Sequence, residues 1–399
     1  MKRTLIGLLA LAALLLTGST VMAQGTTTIP INTIGTLNEA LTGTSSLFRW
    51  QDAYWSANDH GTLVFYNIDT TTAATIGTLP TSLEINDVED IAQDETYLYL
   101  GDFGNNMGSR TDLRILRLSK SSLIDGQPVV DTIFFSFADQ TNFTYENMET
   151  DYDCEAMACL GDTLYLFSKQ WTTKGTTCYA VPKEPGTYVA QPRGTAMVNG
   201  YVTGACLLAD KRLLLLCGYD GTLTPFIYMC YDFQGANFFG AQKRKVVVDQ
   251  MGLQVEGIST ANGLNVYLTN ERFSYSSYIT VAQKFHSVDL TDFLGDYLNP
   301  DEESIEAALA QQSTVQIYPN PTTDRVTVRN LAALQGVANG SVLQLCDASG
   351  RVISRHQLTD STIAHGLTLS LNGQPTGAYQ LSITTDQGRV WTFPFVKAQ

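Results

Sequence analysis

The word Val88-Glu89-Asp90-Ile91-Ala92 returns as Cys154-Glu155-Ala156-Met157-Ala158 and Val255-Glu256-Gly257-Ile258-Ser259, and more loosely as Val202-Thr203-Gly204-Ala205-Cys206. Each copy leads, after a short polar turn, into a β-rich run: Tyr97 to Asp102, Thr163 to Lys169, Asn265 to Asn270 and Leu213 to Tyr219. A degraded first copy joins Leu47-Phe48-Arg49-Trp50 to Ala53-Tyr54-Trp55-Ser56. The starts are spaced by 41, 67, 49 and 52 residues, and four short strands with their turns consume about 40 to 50. One four-stranded sheet cannot bury both faces, whereas sheets packed around an axis can, leaving only short protected edges. The repeat therefore predicts an all-β chain whose residues 24–299 form a β-propeller of six blades, alternatively five. The long second gap and the strand-like Asp131 to Phe137 leave room for the sixth. A tandem of β-sandwiches is the competing architecture, and the repeated Glu-containing word weighs against it.

The ends read differently. Lys2 and Arg3, the apolar run Leu5 to Leu16 and the small residues Val21 and Ala23 form a secretory signal peptide over 1–23, with cleavage expected before Gln24. The run is too short to span a bilayer, and no other segment is long enough, so the mature chain is expected to lack a transmembrane segment. Asn299-Pro300 and an acidic, Ala-rich stretch mark 300–312 as a linker. Beyond it, 313–399 alternates apolar and polar residues in short runs separated by Asn320-Pro321, Ser349-Gly350, Asn372-Gly373 and Gln387-Gly388, which predicts a small immunoglobulin-like β-sandwich of about seven strands.

The words within that tail are Tyr318-Pro319-Asn320-Pro321, Asp347-Ala348-Ser349-Gly350-Arg351, Leu371 with Pro375, Gly377 and Tyr379, and a last strand ending at Val396-Lys397. In this order they resemble the C-terminal sorting domain of the Bacteroidetes type IX secretion system. The resemblance implies export across the outer membrane, with the secretion machinery and its sorting peptidase as partners and a secreted or cell-surface destination. It departs from the pattern at Cys346, which is expected to fill an inward apolar position. Upstream, Asp90 to Asn106, with Leu98-Tyr99-Leu100-Gly101-Asp102 running into Phe103-Gly104-Asn105-Asn106, resembles a blade of the NHL-type propellers and, more distantly, the calcium-dependent lactonase propellers.

If the copies are equivalent, Glu89, Glu155 and Glu256 converge, as do the residues that end each second strand: Asn58 and Asp59, Asp102, Lys169, Asp220, Asn270 and Glu271. Three carboxylates with Asn and Asp oxygens nearby suit Ca²⁺, which takes six to eight hard oxygen ligands, so Glu89, Glu155 and Glu256 are the candidate metal ligands and Asn58, Asp59, Asp102, Lys169, Asn270 and Glu271 the candidate ligand-binding residues. The alternative is a staple in which each Glu accepts backbone amides of the next blade. Lys169 would weaken the case for a cation by neutralising one carboxylate. For catalysis the region offers His60 and His286; His60, beside Asn58-Asp59, is the candidate base, against a plain solvated turn histidine. The acid runs Asp87 to Asp90 and Asp301 to Glu303 read as solvated surface.

Charge sharpens these expectations. The formal net charge is −15, of which 313–399 carries +2 and 24–312 carries −19. That balance argues against nucleic acid and anionic membranes and favours cationic partners. Seven cysteines, an odd number, fit buried thiols as well as disulfides. The leading expectation is an exported propeller that binds a ligand or partner; the alternatives are a calcium-dependent esterase or lactonase and a structural or adhesion protein. Whether the chain is an enzyme stays open at this point.

Overall fold

A computed structural model of the chain describes residues 27–275, 279–299, 312–348, 351–385 and 390–398. The signal peptide, nearly all of the linker and the turns at 349–350 and 387–388 lie outside the described residues.

The fold is all-β. Residues 48–289 form antiparallel meanders, each entered by one of the repeated words. The first is β3 (Phe48–Trp50), β4 (Ala53–Ser56), β5 (Gly61–Ile68) and β6 (Thr75–Ile85); the second is β7 (Val88–Gln93), β8 (Tyr97–Asp102), β9 (Arg114–Ser119) and β10 (Val130–Phe137). The third is β11 (Asp153–Leu160), β12 (Thr163–Lys169), β13 (Thr176–Pro182) and β14 (Gly186–Ala196), and the fourth is β15 (Tyr201–Leu208), β16 (Leu213–Tyr219), β17 (Pro225–Tyr231) and β18 (Gln242–Val248). The fifth contains β19 (Val255–Thr260), β20 (Asn265–Asn270) and β23 (Lys284–Asp289) and takes its outer strand from the other end of the chain, β2 (Asn32–Thr36). The segment Asp131 to Phe137, which had left room for a sixth copy, is the outer strand of the second meander and pairs in parallel with β14, joining two meanders into one eight-stranded sheet. β1 (Thr27–Ile29) adds to β18 in parallel.

Apolar alternation on both faces of these sheets explains how they stack. Leu63 and Phe65 of the first meander pack with Leu98 and Leu100 of the second, Phe135 of the second with Leu164 and Leu166 of the third, and Phe167 of the third with Leu214 and Leu216 of the fourth. Leu213 and Leu215 pack with Val266 and Leu268 of the fifth, and Phe285 of the fifth meets Tyr54 and Ile68 of the first. Each meander thus covers the next and the last covers the first. Fully buried side chains of this size contribute roughly 1.5–3 kcal/mol each relative to exposure.

The tail encloses one core between a three-stranded sheet, β24 (Gln316–Tyr318), β25 (Arg325–Arg329) and β28 (Leu367–Ser370), and a four-stranded sheet, β26 (Val342–Asp347), β27 (Val352–Gln357), β29 (Gly377–Thr384) and β30 (Val390–Lys397). Its sequence words are structural ties. Asn320 Oδ1 accepts from Val396 N at 3.0 Å, Tyr379 Oη donates to Pro375 O at 2.5 Å, and Lys397 Nζ donates to the carbonyls of Leu371 and Gln374 at 2.9 and 2.6 Å. Cys346 does not fill an inward position: Leu343 and Leu345 are the buried residues of β26, and a register shift at Leu345/Cys346 leaves the thiol half-buried. All seven cysteines are free thiols.

Candidate functional site

The repeated word is a β-bulge. Strands β7, β11, β15 and β19 shift register at Val88/Ile91, Cys154/Ala156, Val202/Gly204 and Val255/Gly257, so Glu89, Glu155, Thr203 and Glu256 are extra residues at equivalent places. A bulge re-aims a side chain and frees backbone groups from the ladder. Small residues follow it because neighbouring strands approach closely: a Cβ on Gly204 would stand 2.5 Å from Glu256 O. The second meander carries two extra residues, Glu89 and Asp90. Asp90 uses its carboxylate on the freed amides, Oδ2 accepting from Met157 N at 2.8 Å and Ala205 N at 3.1 Å, and Oδ1 from Ile91 N at 2.8 Å. Three strands are therefore tied to one carboxylate, which burial nonetheless pushes up to about 7.

The expected staple of glutamates is thus performed by other residues. Besides Asp90, Ser45 Oγ donates to Val88 O and Thr203 Oγ1 to Val255 O, both at 2.5 Å, linking neighbouring meanders. Glu155 instead faces Lys169 Nζ at 3.1 Å. The Lys169 ammonium lies 4.5 Å from the centre of the Trp171 ring and 5.5 Å from that of Tyr219. Burial opposes its charge, but Glu155, Tyr219, Asp153 and Glu256 hold its pKa well above the usual lysine range. Glu89 and Glu256 are each 7% exposed, and no hydrogen bond or ion pair from the described residues reaches either carboxylate.

Seven carboxylates influence one another at this hub. Burial, then Glu155, Asp87, Glu256 and Asp153, push Glu89 well above the usual carboxylate range; burial, then Glu271 and Asp59, do the same to Glu256 against the pull of Lys169. Burial raises Asp87 to about 6 despite Arg110, and raises Glu271 to about 7 with help from Asp59. Gly104 makes the closest pair possible. A Cβ there would stand 2.3 Å from both Asp87 Oδ2 and Glu89 Oε1, so only the bare backbone lets the two oxygens share that space. The run Asp87 to Asp90, expected as solvated surface, instead supplies this pair and the Asp90 tie, because the bulge turns it inward.

The other expected residues separate into braces and rim. Asn58 accepts from Gly43 N and donates to Ala40 O; Asn270 donates to the carbonyls of Glu271 and Ala282. Asp102 is consumed by Arg114 at 2.7 and 2.9 Å and by Asp87 N, and Asp220 caps its own turn at Thr222 and Thr224. His286 is buried between Thr33 and Asn270, and burial with the nearby Lys284 pushes it down to about 4, so it is neutral structure. His60 is exposed, its Nδ1 2.6 Å from Asp59 Oδ1. Among the described residues no three His, Cys, Asp or Glu side chains stand in the geometry of a metal site. Sequence reading missed Asp87, Asp153, Trp171 and Tyr219; the spacing Asp87-x-Glu89 and Asp153-x-Glu155 was the available signal.

Residues 316–396 match the family model of the secretion system C-terminal sorting domain. That tail directs the chain to export by type IX secretion, to the cell surface or the medium, and implies handling by that machinery. No helix among the described residues is long and apolar enough to cross a membrane. A search of curated proteins gave no match. Among solved structures, the chain is similar to an immunoglobulin-like β-sandwich protein of the DUF3244 family from Bacteroides vulgatus (20% identity over 21% of this chain and 84% of that one, TM-score 0.18). It is also similar to a putative glucose dehydrogenase from Thermus thermophilus (10% identity, 65% and 99% covered, TM-score 0.34) and to the computationally designed Ika4 protein (12%, 50% and 96%, TM-score 0.27).

Proposed function

We propose that residues 24–299 are a five-bladed β-propeller, released from its signal peptide before Gln24, that binds a cationic ligand at the acidic end of its central channel. On this reading each meander is a blade, and the tail is an immunoglobulin-like sandwich that the sorting peptidase removes. The observation that carries the proposal is the pair of buried carboxylates, Glu89 and Glu256, that no group among the described residues satisfies. An unpaired buried carboxylate costs several kcal/mol or holds a proton instead, and such groups cluster where a ligand supplies the missing charge. A ligand that binds only the folded state raises the thermal midpoint by mass action. Calorimetric scans with CaCl2, MgCl2, guanidinium and small amines at low salt are expected to find at least one cation that raises it. A midpoint indifferent to all of them, and to EDTA, sinks the proposal and leaves the structural or adhesion role.

The calcium-dependent hydrolase remains a second reading on one observation: Asp59 both orients His60 and adds to the charge felt by Glu256 and Glu271, the arrangement of a base held at the rim of an acidic site. Against it stands the occupation of Glu155 by Lys169; among the described residues, moreover, no three ligands converge. Ca²⁺-dependent hydrolysis of an aryl ester or a lactone, lost in His60→Ala, would establish it.

A further inference from the structure

We propose that the hub takes a primary alkylammonium group, seated beside Lys169 with Glu89 and Asp87 on one side and Glu256 and Glu271 on the other. This rests on the cation reading above and narrows it.

Lys169 shows what the hub accepts. Apart from Arg117, which pairs with Asp131 and Glu184, it is the only buried cation among the described residues. Its side chain is 4% exposed, yet its ammonium is satisfied by one carboxylate and two aromatic faces, Trp171 and Tyr219. Carboxylate plus aromatic face is the combination that recognises a desolvated ammonium. Trp171 is itself fixed by donating Nε1 to Asp153 Oδ2 at 2.8 Å, so the face is held in place before any ligand arrives.

The positions left over have the same chemistry without the cation. Glu89 stands with Asp87 over the bare backbone of Gly104, and Glu256 has Glu271 and Asp59 as its main acidic neighbours. The Arg110 guanidinium reaches Asp87 only at 4.0 Å and is shared with Asp102 and Asp112. A bare divalent ion needs six to eight oxygens drawn to about 2.3–2.6 Å, whereas Glu89 and Glu256 sit on separate strands and, among the described residues, no three such side chains stand in the geometry of a metal site. An ammonium has three donors pointing in three directions and bonds at ordinary hydrogen-bond length, which suits acceptors spread around a space. A guanidinium prefers a planar two-oxygen fork.

The test is a calorimetric titration of the full secreted chain with 1,5-diaminopentane, Nα-acetyl-lysine methylamide, guanidinium and CaCl2. Saturable binding of either amine is expected, the first marking a free amine and the second a lysine side chain as the natural source. Glu89→Gln and Glu256→Gln should each weaken it by about tenfold, the loss of one charged hydrogen bond, while keeping or raising the ligand-free midpoint, which shows that the variants fold. Binding of Ca²⁺ or guanidinium without the amines overturns this inference and leaves the cation reading standing. Amine binding untouched by both substitutions overturns it too, and no binding of any probe removes both.

Discussion

Residues 312–398 close their core with Leu, Val, Ile and aromatic side chains, and among their described residues the buried polar groups are Thr322, Ser341 and Thr385, none charged. The hub of residues 27–299 buries Glu89, Asp90, Asp102, Asp153, Glu155, Glu256 and Lys169. One core is apolar throughout; the other has charge at its centre. Burying ions is expensive even when they are paired, so the two regions answer different demands. The tail must hold a surface that an export system reads. The hub keeps groups that its own fold leaves incompletely satisfied, which is where sequences sacrifice stability for function.

The comparison breaks most readily at Asp90. Asp90→Ala would orphan the amides of Ile91, Met157 and Ala205, each worth about 1–3 kcal/mol when left buried and unpaired. We expect a loss of several kcal/mol (roughly 3 or more) confined to the ring, read as a lower denaturation midpoint for its transition beside an unchanged one for the tail; a near-neutral result would mean that the tie is dispensable. The next effect concerns pH. Asp87, Asp90 and Glu271 are raised to about 6, 7 and 7 in the folded chain, above the values of about 4 expected when unfolded. The native ring then binds more protons than the unfolded chain between those limits, so its stability is greatest at the acid side and falls as pH rises from about 4 to 7, by an amount on the order of a few kcal/mol. Differential scanning calorimetry at pH 5 and pH 8 should show the ring transition moving down with pH while the tail stays nearly fixed. A ring that gains stability over that interval would contradict the assignment of its buried carboxylates. The smallest effect belongs to the tail: Tyr379→Phe removes the bond to Pro375 O and should cost about 1 kcal/mol, lowering only the tail's midpoint.

Much of this organisation was legible in the residues. The recurrence of one word located the entering strand of each meander, and the alignment of Thr203 with the three glutamates, the loosest of the set, holds at the level of the bulge. The words of the tail located the sorting domain. What sequence could not separate was partnered from unpartnered oxygen. Asn58, Asn270 and Asp102 have the right chemistry at the right strand ends, but their hydrogen bonds go to Gly43, Ala282 and Arg114, and such choices depend on loops whose course no periodicity announces. Asp87 was hidden for the converse reason: an acid run looks solvated until a bulge turns it inward. Asp131 to Phe137 left room for a further copy because it is strand-like whether it opens a new sheet or, as here, finishes the second. β27 and the short helix Asp360–His365 left too little pattern to be read.

The borrowed outer strand of the fifth meander sets the order in which the molecule can be finished. Thr33 meets His286 across 253 positions of chain, and until it does, β23 presents an open ladder edge, a template for pairing with another molecule. Contacts this distant in sequence are slow to form, so the fifth meander is expected to be the last to seal, because β2 waits for β23. In an exported chain the consequence is that trimming either β2 or β23 reopens the same edge.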